Sequence, residues 1–202
     1  MSGSPAGGKR RIDPPREPSL DPSGERTRRL FFALWPNADQ QAAMALAARE
    51  ALEASDGRSV PAGNLHLTLA FLGAVAEPSI SAVMAVASRI DATPVQFSFA
   101  HVEHWRRAQV LCATPEATPA AAVALAEALK GQLVTAGFAP DLKPFRAHVT
   151  LARKVRRASL ALGMQPVSWS FSRFALVESR TEADGLLYSA LESWLLDRLH
   201  FE

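Results

Sequence analysis

A short motif that combines histidine with threonine occurs twice in the sequence. Asn64-Leu-His-Leu-Thr-Leu-Ala and Ala147-His-Val-Thr-Leu-Ala share the pattern His-x-Thr-Leu-Ala, and the histidines at positions 66 and 148 are 82 residues apart. An imidazole with an unperturbed pKa of about 6.5 can donate or accept a proton near neutral pH. A threonine hydroxyl donates one hydrogen bond, which suits a phosphoryl oxygen. Two facing pairs would supply an acid, a base and two oxygen contacts around one phosphorus atom.

Both motifs are predicted to lie on β-strands, over residues 65–72 and 146–153. Because strand side chains alternate, His66 and Thr68 share one face while their leucine neighbours share the other, and the same holds for His148 and Thr150. A single His-x-Thr in a strand is usually only a half-buried polar face. Two matched copies in equivalent positions of similar half-chains favour a shared functional site.

The elements around each motif repeat as well. Each copy lies downstream of a predicted strand and an alanine-rich helix, which predicts a pair of similar halves related by a pseudo-two-fold axis. The first helix is predicted from Pro36 to about Ser55, and the second from an N-cap at Thr118, with Pro119 at its first position, to Gly137. Further strands are predicted at 30–35, 95–102, 109–113, 167–177 and 186–195, and the last of these could instead be partly helical. A helix is predicted from Pro78 to about residue 90. Gly73 is predicted to close the first motif strand.

Composition limits the class of protein. The chain has 202 residues, of which 48% are hydrophobic and 21% charged, which is typical of one globular domain. It contains no apolar run of about 18 residues and no apolar segment near its N-terminus, so neither a membrane span nor a secretory signal is predicted. The single cysteine, Cys112, cannot form an internal disulfide. We expect a cytoplasmic monomer without a membrane or obligate protein partner.

The first 28 residues differ from the rest of the chain. They are rich in proline, glycine and arginine and have no apolar periodicity, which predicts a disordered tail before a domain at residues 29–202. The formal net charge of the whole chain is only +2. A basic surface over the whole domain is therefore not an argument for a nucleic-acid partner.

The sequence resembles the two-histidine phosphoesterase superfamily, specifically its RNA 2′,3′-cyclic phosphodiesterase branch, also called 2′-5′ RNA ligase or LigT-like. The resemblance spans residues 29 to about 196 and is carried by Arg29-Leu-Phe-Phe-Ala-Leu, Asn64-Leu-His-Leu-Thr-Leu-Ala-Phe-Leu-Gly and Pro144-Phe-Arg-Ala-His-Val-Thr-Leu-Ala-Arg. It implies an α+β fold of two pseudo-symmetric lobes, each an antiparallel sheet with outer helices, which face each other across a central cleft.

The resemblance also implies roles for the site residues. His66 would be the proton donor to the leaving 3′ oxygen and His148 the proton acceptor that activates water. Thr68 and Thr150 would hold the phosphate oxygens, so that RNA 2′,3′-cyclic phosphate ends are hydrolysed to 2′-phosphomonoesters. Arg153 ends the family-like stretch and begins a basic run, which makes it the best candidate for a further phosphate contact.

Other residues have weaker claims. Trp105 and Phe71 could stack on a terminal base, but aromatic residues are more often part of the core. His101 and His104 would point to opposite faces of a strand, so we interpret them as structural and expect no metal site. The sequence contains neither a Lys-x-Asp-Gly nucleophile motif nor a Gly-rich phosphate loop followed by Lys-Ser or Lys-Thr, and no cofactor is expected.

Three functions remain open from the sequence. The first is metal-independent hydrolysis of the cyclic phosphate. The second is 2′-5′ ligation at the same site, with an RNA 5′-hydroxyl in place of water. The third is a non-catalytic module that binds RNA ends or nucleotides, although binding alone does not require a matched acid and base.

Removal of divalent metal ions should leave activity intact, because the two motifs supply imidazoles and hydroxyls and no carboxylate. Turnover of a 2′,3′-cyclic-phosphate oligonucleotide should be the same with and without excess EDTA. Loss of turnover on chelation, with recovery on adding a divalent ion, would contradict the mechanism.

Overall fold

The structure is a computed structural model that describes residues 24–159, 164–182 and 185–196. Most of the predicted tail at 1–28 therefore lies outside the described residues. The described elements are, in chain order, β1 (Thr27–Leu34), α1 (Ala38–Ala47), α2 (Arg49–Glu53), β2 (Arg58–Ser59), β3 (Leu67–Ala76), α3 (Ile80–Ala87), β4 (Val95–Trp105), β5 (Val110–Pro115), α4 (Ala120–Thr135), β6 (Val149–Arg153), β7 (Val167–Phe171), β8 (Arg173–Glu182) and β9 (Gly185–Leu195). Within these ranges no helix is long and apolar enough to cross a membrane.

The strands form one antiparallel sheet that divides into two halves. Its order is β7-β4-β5-β6-β3-β1-β8-β9, and the short β2 also pairs with β6. The halves meet where β3 and β6 pair through a single residue pair, Leu67 with Val149. One half is therefore β3-β1-β8-β9 and the other is β6-β5-β4-β7.

The two halves are related by a pseudo-two-fold axis. The unit β1-α1-β3 corresponds to β5-α4-β6, and β8 pairs with β1 as β4 pairs with β5. Strands β9 and β7 then form the two outer edges. The predicted fold class, α+β with two pseudo-symmetric antiparallel lobes, is confirmed. The first half is completed by β8 and β9, which follow the second half in the chain.

Helices from both halves cover one face of the sheet and enclose a common core. Along β1, Leu30, Phe32 and Leu34 are fully buried in this core, together with Phe97 and Trp169 of the other half. Helix α1 packs against β7 and α4 against β3, so each long helix covers the half-sheet to which it does not belong. Burial of large apolar side chains from both halves in one cluster makes the two halves one cooperative unit.

The opposite face of the sheet is open and carries a smaller apolar cluster. Phe31 and Ala33 of β1 pack there against Ala175 and Val177 of β8. Alternation along β1 thus separates the core face from the open face, and both faces are apolar. The predicted motif faces are also confirmed. The apolar residues Leu65, Leu67 and Val149 are buried, whereas the histidines and threonines of the two motifs are only partly buried.

The predicted helix from Pro36 to Ser55 is two helices. Asn37 caps α1 in a capping box, in which its side chain accepts from the backbone N–H of Gln40 at 2.8 Å and the Gln40 side chain accepts from the N–H of Asn37. The helix breaks at Ala48, which ends α1 and begins the short α2. A capping box fixes the first residue of a helix, so Pro36 lies outside it.

Three other predicted boundaries were also wrong. β3 does not close at Gly73 but continues to Ala76, because Gly73 takes a left-handed φ of 76° where the pairing with β1 shifts register. Pro119 is the N-cap of α4, in place of Thr118, since the Pro119 carbonyl accepts from the first-turn N–H of Ala122 at 3.0 Å. The predicted strand 167–177 is split at residue 172 into β7 and β8, and β9 is a strand throughout.

Two glycine substitutions should have opposite effects on the free energy of unfolding. A Cβ at Gly57, next to β2, would overlap Cγ2 of Val155 and lie 3.1 Å from the Arg153 carbonyl oxygen. Overpacking of this kind costs roughly 1–3 kcal/mol, so Gly57→Ala should destabilise the protein. Gly131 lies on α4 with nothing within 4 Å of a Cβ. Gly131→Ala should therefore stabilise by about 1 kcal/mol, the propensity difference in a helix. Urea unfolding checks both, and a neutral Gly57→Ala would contradict the packing of β2 on β6.

Candidate active site

The pair Leu67–Val149 brings the two motifs together at the centre of the sheet. Both side chains are 0% exposed and point into the core. Their neighbours on either side must therefore point to the open face. Because the strands are antiparallel, the histidine of each motif lies nearest the threonine of the other. His66, Thr68, His148 and Thr150, all predicted from the sequence, thus form one cluster on the open face.

A β-bulge after each threonine then changes which side chains face the cleft. In β3 the partners of β1 skip Leu69, and in β6 the partners of β5 skip Leu151. The extra residue reverses the alternation that follows it. Phe71 and Arg153, each five residues after its motif histidine, consequently face the cleft. Strict alternation would have put both on the core face.

The open face holds a cavity of about 550 Å³ on the side of the first half-sheet. It contains three of the five predicted site residues, and its lining residues are Arg29, Phe31, His66, Thr68, Phe71, Arg153, Ser179, Thr181, Leu186 and Tyr188. His148 and Thr150 belong to the adjoining half and are not part of this lining. His148 is nevertheless close enough for its charge to lower the pKa of His66.

The His66 ring lies in an aromatic cage. It stacks on Trp35 with ring centroids 5.0 Å apart and an interplanar angle of 7°. Phe31 and Tyr188 contact it from two further sides, at 5.0 and 5.1 Å. Its Nδ1 lies 2.7 Å from the carbonyl oxygen of Asn64, which can only accept, so Nδ1 carries the proton and Nε2 remains available for proton transfer.

The cage makes His66 a weak base in the free protein. Burial is the main cause that lowers the pKa of His66 to about 4, and the nearby charges of Arg153 and His148 act in the same direction, while the hydrogen bond to Asn64 opposes them. Burial disfavours the charged imidazolium. At pH 7 the ring is therefore neutral until a negative charge is bound beside it.

His148 has the same hydrogen bond but different surroundings. Its Nδ1 lies 2.8 Å from the carbonyl oxygen of Arg146, again two residues upstream, and its ring packs at 4.6 Å on Trp105. Burial lowers the pKa of His148, and the charges of Arg146 and Arg153 act in the same direction. The Arg146 carbonyl and the carboxylate of Glu103 raise it.

Glu103 joins the residues around His148 into a network. Its carboxylate accepts hydrogen bonds from Trp105 Nε1 at 2.7 Å, Thr114 Oγ1 at 3.0 Å and Arg146 Nη2 at 2.5 Å. The Arg146 guanidinium also lies 4.3 Å from the centre of the Trp105 ring. These hydrogen bonds lower the pKa of Glu103, Trp105 having the largest effect. The two histidines thus have distinct supports, an apolar cage for His66 and a carboxylate network for His148.

The structure also shows the surroundings of Cys112, His101 and His104. Cys112 is fully buried beside Thr150, its partner across β5 and β6, and burial raises the pKa of the thiol to about 12. A thiol that stays protonated at neutral pH is a poor nucleophile. His101 is exposed and His104 Nε2 lies 3.1 Å from the carbonyl oxygen of Val155. In the part of the chain that the structure describes, no group of three or more His, Cys, Asp or Glu residues could hold a metal ion.

Sequence reasoning missed four residues of the site. Trp35 lies at the end of a wholly apolar run, where the alternation between two apolar faces gives no signal. Tyr188 is the one tyrosine of the chain and comes from β9, outside the repeated units. Arg29 lies 4.7 Å over the Phe71 ring at the cleft edge. Glu103 and Trp105 are two residues apart in β4, and this alternation could have indicated that their side chains share a face.

The fold and the paired motifs define a two-histidine phosphoesterase. The chain matches the family model described as "2′-5′ RNA ligase superfamily" over residues 36–183. It is 33% identical over 144 residues to the RNA 2′,3′-cyclic phosphodiesterase of Escherichia coli (strain K12), covering 69% of this chain and 80% of that protein. The enzyme of the same name from Thermus thermophilus is 29% identical over 192 residues, 85% of this chain and 92% of the relative.

Solved structures agree with these matches. The crystal structure of E. coli LigT complexed with 3′-AMP superposes with a TM-score of 0.79 at 28% identity, covering 85% of this chain and 99% of that chain. The chain therefore belongs to the 2′-5′ RNA ligase superfamily.

Removing the charge of Glu103 should lower the pKa of His148 and leave that of His66 unchanged. Glu103→Gln deletes the carboxylate that favours the imidazolium of His148 and leaves Arg146 without its partner, and both effects disfavour a second positive charge. The charges that act on His66 are those of Arg153 and His148 and do not include Glu103. Histidine titration by NMR measures both rings, and Glu116→Gln, which removes an exposed carboxylate in the bend directly after β5, is the control. An unchanged or raised pKa of His148 would contradict the network.

Proposed function

We propose that the protein hydrolyses the 2′,3′-cyclic phosphate ends of RNA to 2′-phosphomonoesters, with His66 and His148 as the groups that move protons. The observation that carries this proposal is the duplicated hydrogen bond of the two imidazoles. Each donates from Nδ1 to the carbonyl two residues upstream, at 2.7 and 2.8 Å, which leaves both Nε2 atoms for proton transfer. The relatives from E. coli and T. thermophilus are named RNA 2′,3′-cyclic phosphodiesterases, which supports the same substrate class.

In the proposed reaction a water molecule attacks phosphorus and the bond from phosphorus to the 3′ oxygen breaks. His148 Nε2 accepts the proton of the water, and protonated His66 donates its Nε2 proton to the leaving 3′ oxygen. The product keeps the phosphate on the 2′ oxygen and regains a 3′ hydroxyl. Exchange with solvent then returns a proton to His66 and removes one from His148.

The two surroundings favour this division of roles. The negative charge of a bound phosphodiester raises the pKa of both rings. Its attraction is stronger in the desolvated cage around His66 than in a more polar environment. A proton that accompanies substrate binding is therefore held between His66 and the phosphate. Because the pKa of His66 is low in the free protein, its imidazolium is a strong acid. Burial lowers the pKa of His148, but the carboxylate of Glu103 acts to raise it, which suits a base.

Three further residues are proposed to bind the phosphate. The hydroxyls of Thr68 and Thr150 each donate one hydrogen bond to a non-bridging oxygen. Arg153, exposed at the end of β6 and in the cleft lining, adds a charged donor. None of these contacts needs a metal ion or cofactor.

A second candidate is 2′-5′ ligation at the same site, which the family description favours. An RNA 5′-hydroxyl would then replace water as the nucleophile and lose its proton to the same base. A ligase must exclude water from the reacting cyclic phosphate. Exposed residues such as Thr181 and Leu186 line the cleft, so water has access and hydrolysis is the primary proposal.

His66→Ala and His148→Ala should each lower the turnover of a 2′,3′-cyclic-phosphate oligonucleotide by roughly 10²–10⁴-fold, the usual contribution of one proton-transfer group. The double variant should be little worse than either single variant, because the two groups act as a unit. A phosphodiester with a nitrophenolate leaving group needs no proton donor, so it should largely rescue His66→Ala and not His148→Ala.

The control for these variants is His101→Ala, which removes an exposed histidine from β4. It should keep full activity. Thermal unfolding of all four variants separates catalysis from folding. Active, strongly destabilised His66 and His148 variants would mean that the imidazoles are core residues, and a 3′-phosphate product would contradict the proposed bond cleavage.

A further inference from the structure

A second concave surface adjoins the cleft at the end of β6. Its cavity of about 500 Å³ is lined by Asp56, Arg58, Gln109, Lys154 and Arg156, which we call the basic groove. All three cationic side chains are on exposed residues. Within the described ranges, none of the three forms an ion pair or side-chain hydrogen bond.

The one carboxylate of the basic groove is directed at the backbone. Asp56 Oδ1 accepts from the N–H groups of Arg156 and Arg157 at 2.8 and 2.9 Å. These hydrogen bonds lower the pKa of Asp56. The carboxylate therefore fixes the loop after β6 while the guanidinium of Arg156 remains at the surface. With three cations and one anion, the groove has a net positive charge, although the whole chain has only +2.

The basic groove is continuous with the catalytic cleft through Arg153. Arg58 is the cross-strand partner of Arg153 in the β2–β6 pair, and Lys154 follows Arg153 in the chain. Arg153 itself lines the catalytic cleft. The Cα atoms of Arg153 and Arg156 are at most about 11 Å from each other, because the two residues are three positions apart and consecutive Cα atoms are 3.8 Å apart. Positive charge thus extends from the cleft toward the loop after β6.

The backbone holds this loop in an uncommon conformation. Gln109 and Lys154 both have positive φ, at 53° and 58°, and the N–H of Val155 donates to the Gln109 carbonyl at 2.9 Å. Residues other than glycine seldom adopt this region. The turn between β4 and β5 and the loop after β6 are therefore tied to each other, which fixes the positions of the groove residues relative to Arg153.

We propose that the basic groove binds the phosphodiester backbone of RNA upstream of the reacting 3′-terminal nucleotide. This inference rests on the proposed function, because it takes the cyclic phosphate to occupy the cleft. RNA is the occupant that the continuity with the cleft favours, since a strand whose end is bound at His66 must leave the cleft along one path. Contacts from arginine and lysine to phosphates position a strand without reading its bases. The groove should therefore favour longer substrates irrespective of their sequence.

The test compares two substrates and two double variants. One substrate is a 2′,3′-cyclic mononucleotide, which reaches only the cleft, and the other is a single-stranded oligonucleotide with a 2′,3′-cyclic phosphate. The groove variant is Arg58→Gln/Arg156→Gln. The control is Arg89→Gln/Arg173→Gln, which removes the same charge from exposed positions in the turn after α3 and on β8. Thermal unfolding verifies that both variants are folded.

The groove variant should lower kcat/KM for the oligonucleotide about 10-fold at low salt and leave that for the mononucleotide within about twofold. Each phosphate contact to a single strand adds about 0.7 to the slope of log affinity against log salt, so the slope should fall by about 1.4. The control variant should change neither value. An equal loss on both substrates, or none on the oligonucleotide, would overturn the proposal.

Binding distinguishes this inference from the proposed function. If the wild-type protein turns over neither substrate, the proposed hydrolysis is wrong. The groove is then tested by the affinity of the same oligonucleotide, measured by fluorescence anisotropy with the two variants. Weaker binding by the groove variant alone supports the groove, and unchanged binding rejects it.

Discussion

One backbone pairing, between Leu67 and Val149, holds the two His-x-Thr motifs together. It is the only residue pair between β3 and β6 within the described chain, yet it joins the two halves of the sheet at the point where each motif begins. Both side chains are fully buried in the common core, so the flanking histidines and threonines must face the open side. The long helices reinforce this junction because each packs across it onto the other half. Without this pairing, the two motifs would remain on separate surfaces and could not face a common ligand.

The pseudo-symmetry of the backbone does not extend to the electrostatics. Both imidazoles donate from Nδ1 to the carbonyl two residues upstream, so the repeat fixes their tautomer and orientation together. The side chains around them have diverged. Trp35 and its aromatic neighbours desolvate His66, whereas Glu103 compensates part of the positive charge near His148. A symmetric pair would give two equivalent groups, while a pair in unlike surroundings can divide the roles of acid and base.

The sequence was sufficient for the motif cluster and insufficient for much of its surroundings. His66, Thr68, His148 and Thr150 could be predicted because a local alternation and a repeat both identify them. Phe71 and Arg153 reach the cleft only through the bulges at Leu69 and Leu151, and a bulge arises from pairing with a neighbouring strand that one segment does not reveal. Trp35, directly after β1, and Tyr188, on β9, meet at His66 from parts of the chain far apart in sequence, so no spacing indicates them. The helix starts depended on cap geometry at Asn37 and Pro119, where several residues had suitable chemistry.

The order of the strands also matters while the chain is being made. β8 and β9 follow every other described strand, and they complete the half-sheet that begins with β1. Tyr188, on β9, is part of the aromatic cage around His66. Domains fold as the chain emerges during synthesis. Strands β1 and β3 are then made long before β8 and β9. A partly synthesised chain therefore has both histidines but an incomplete cage around the first. Nearly the whole domain must therefore leave the ribosome before the cage around His66 can form.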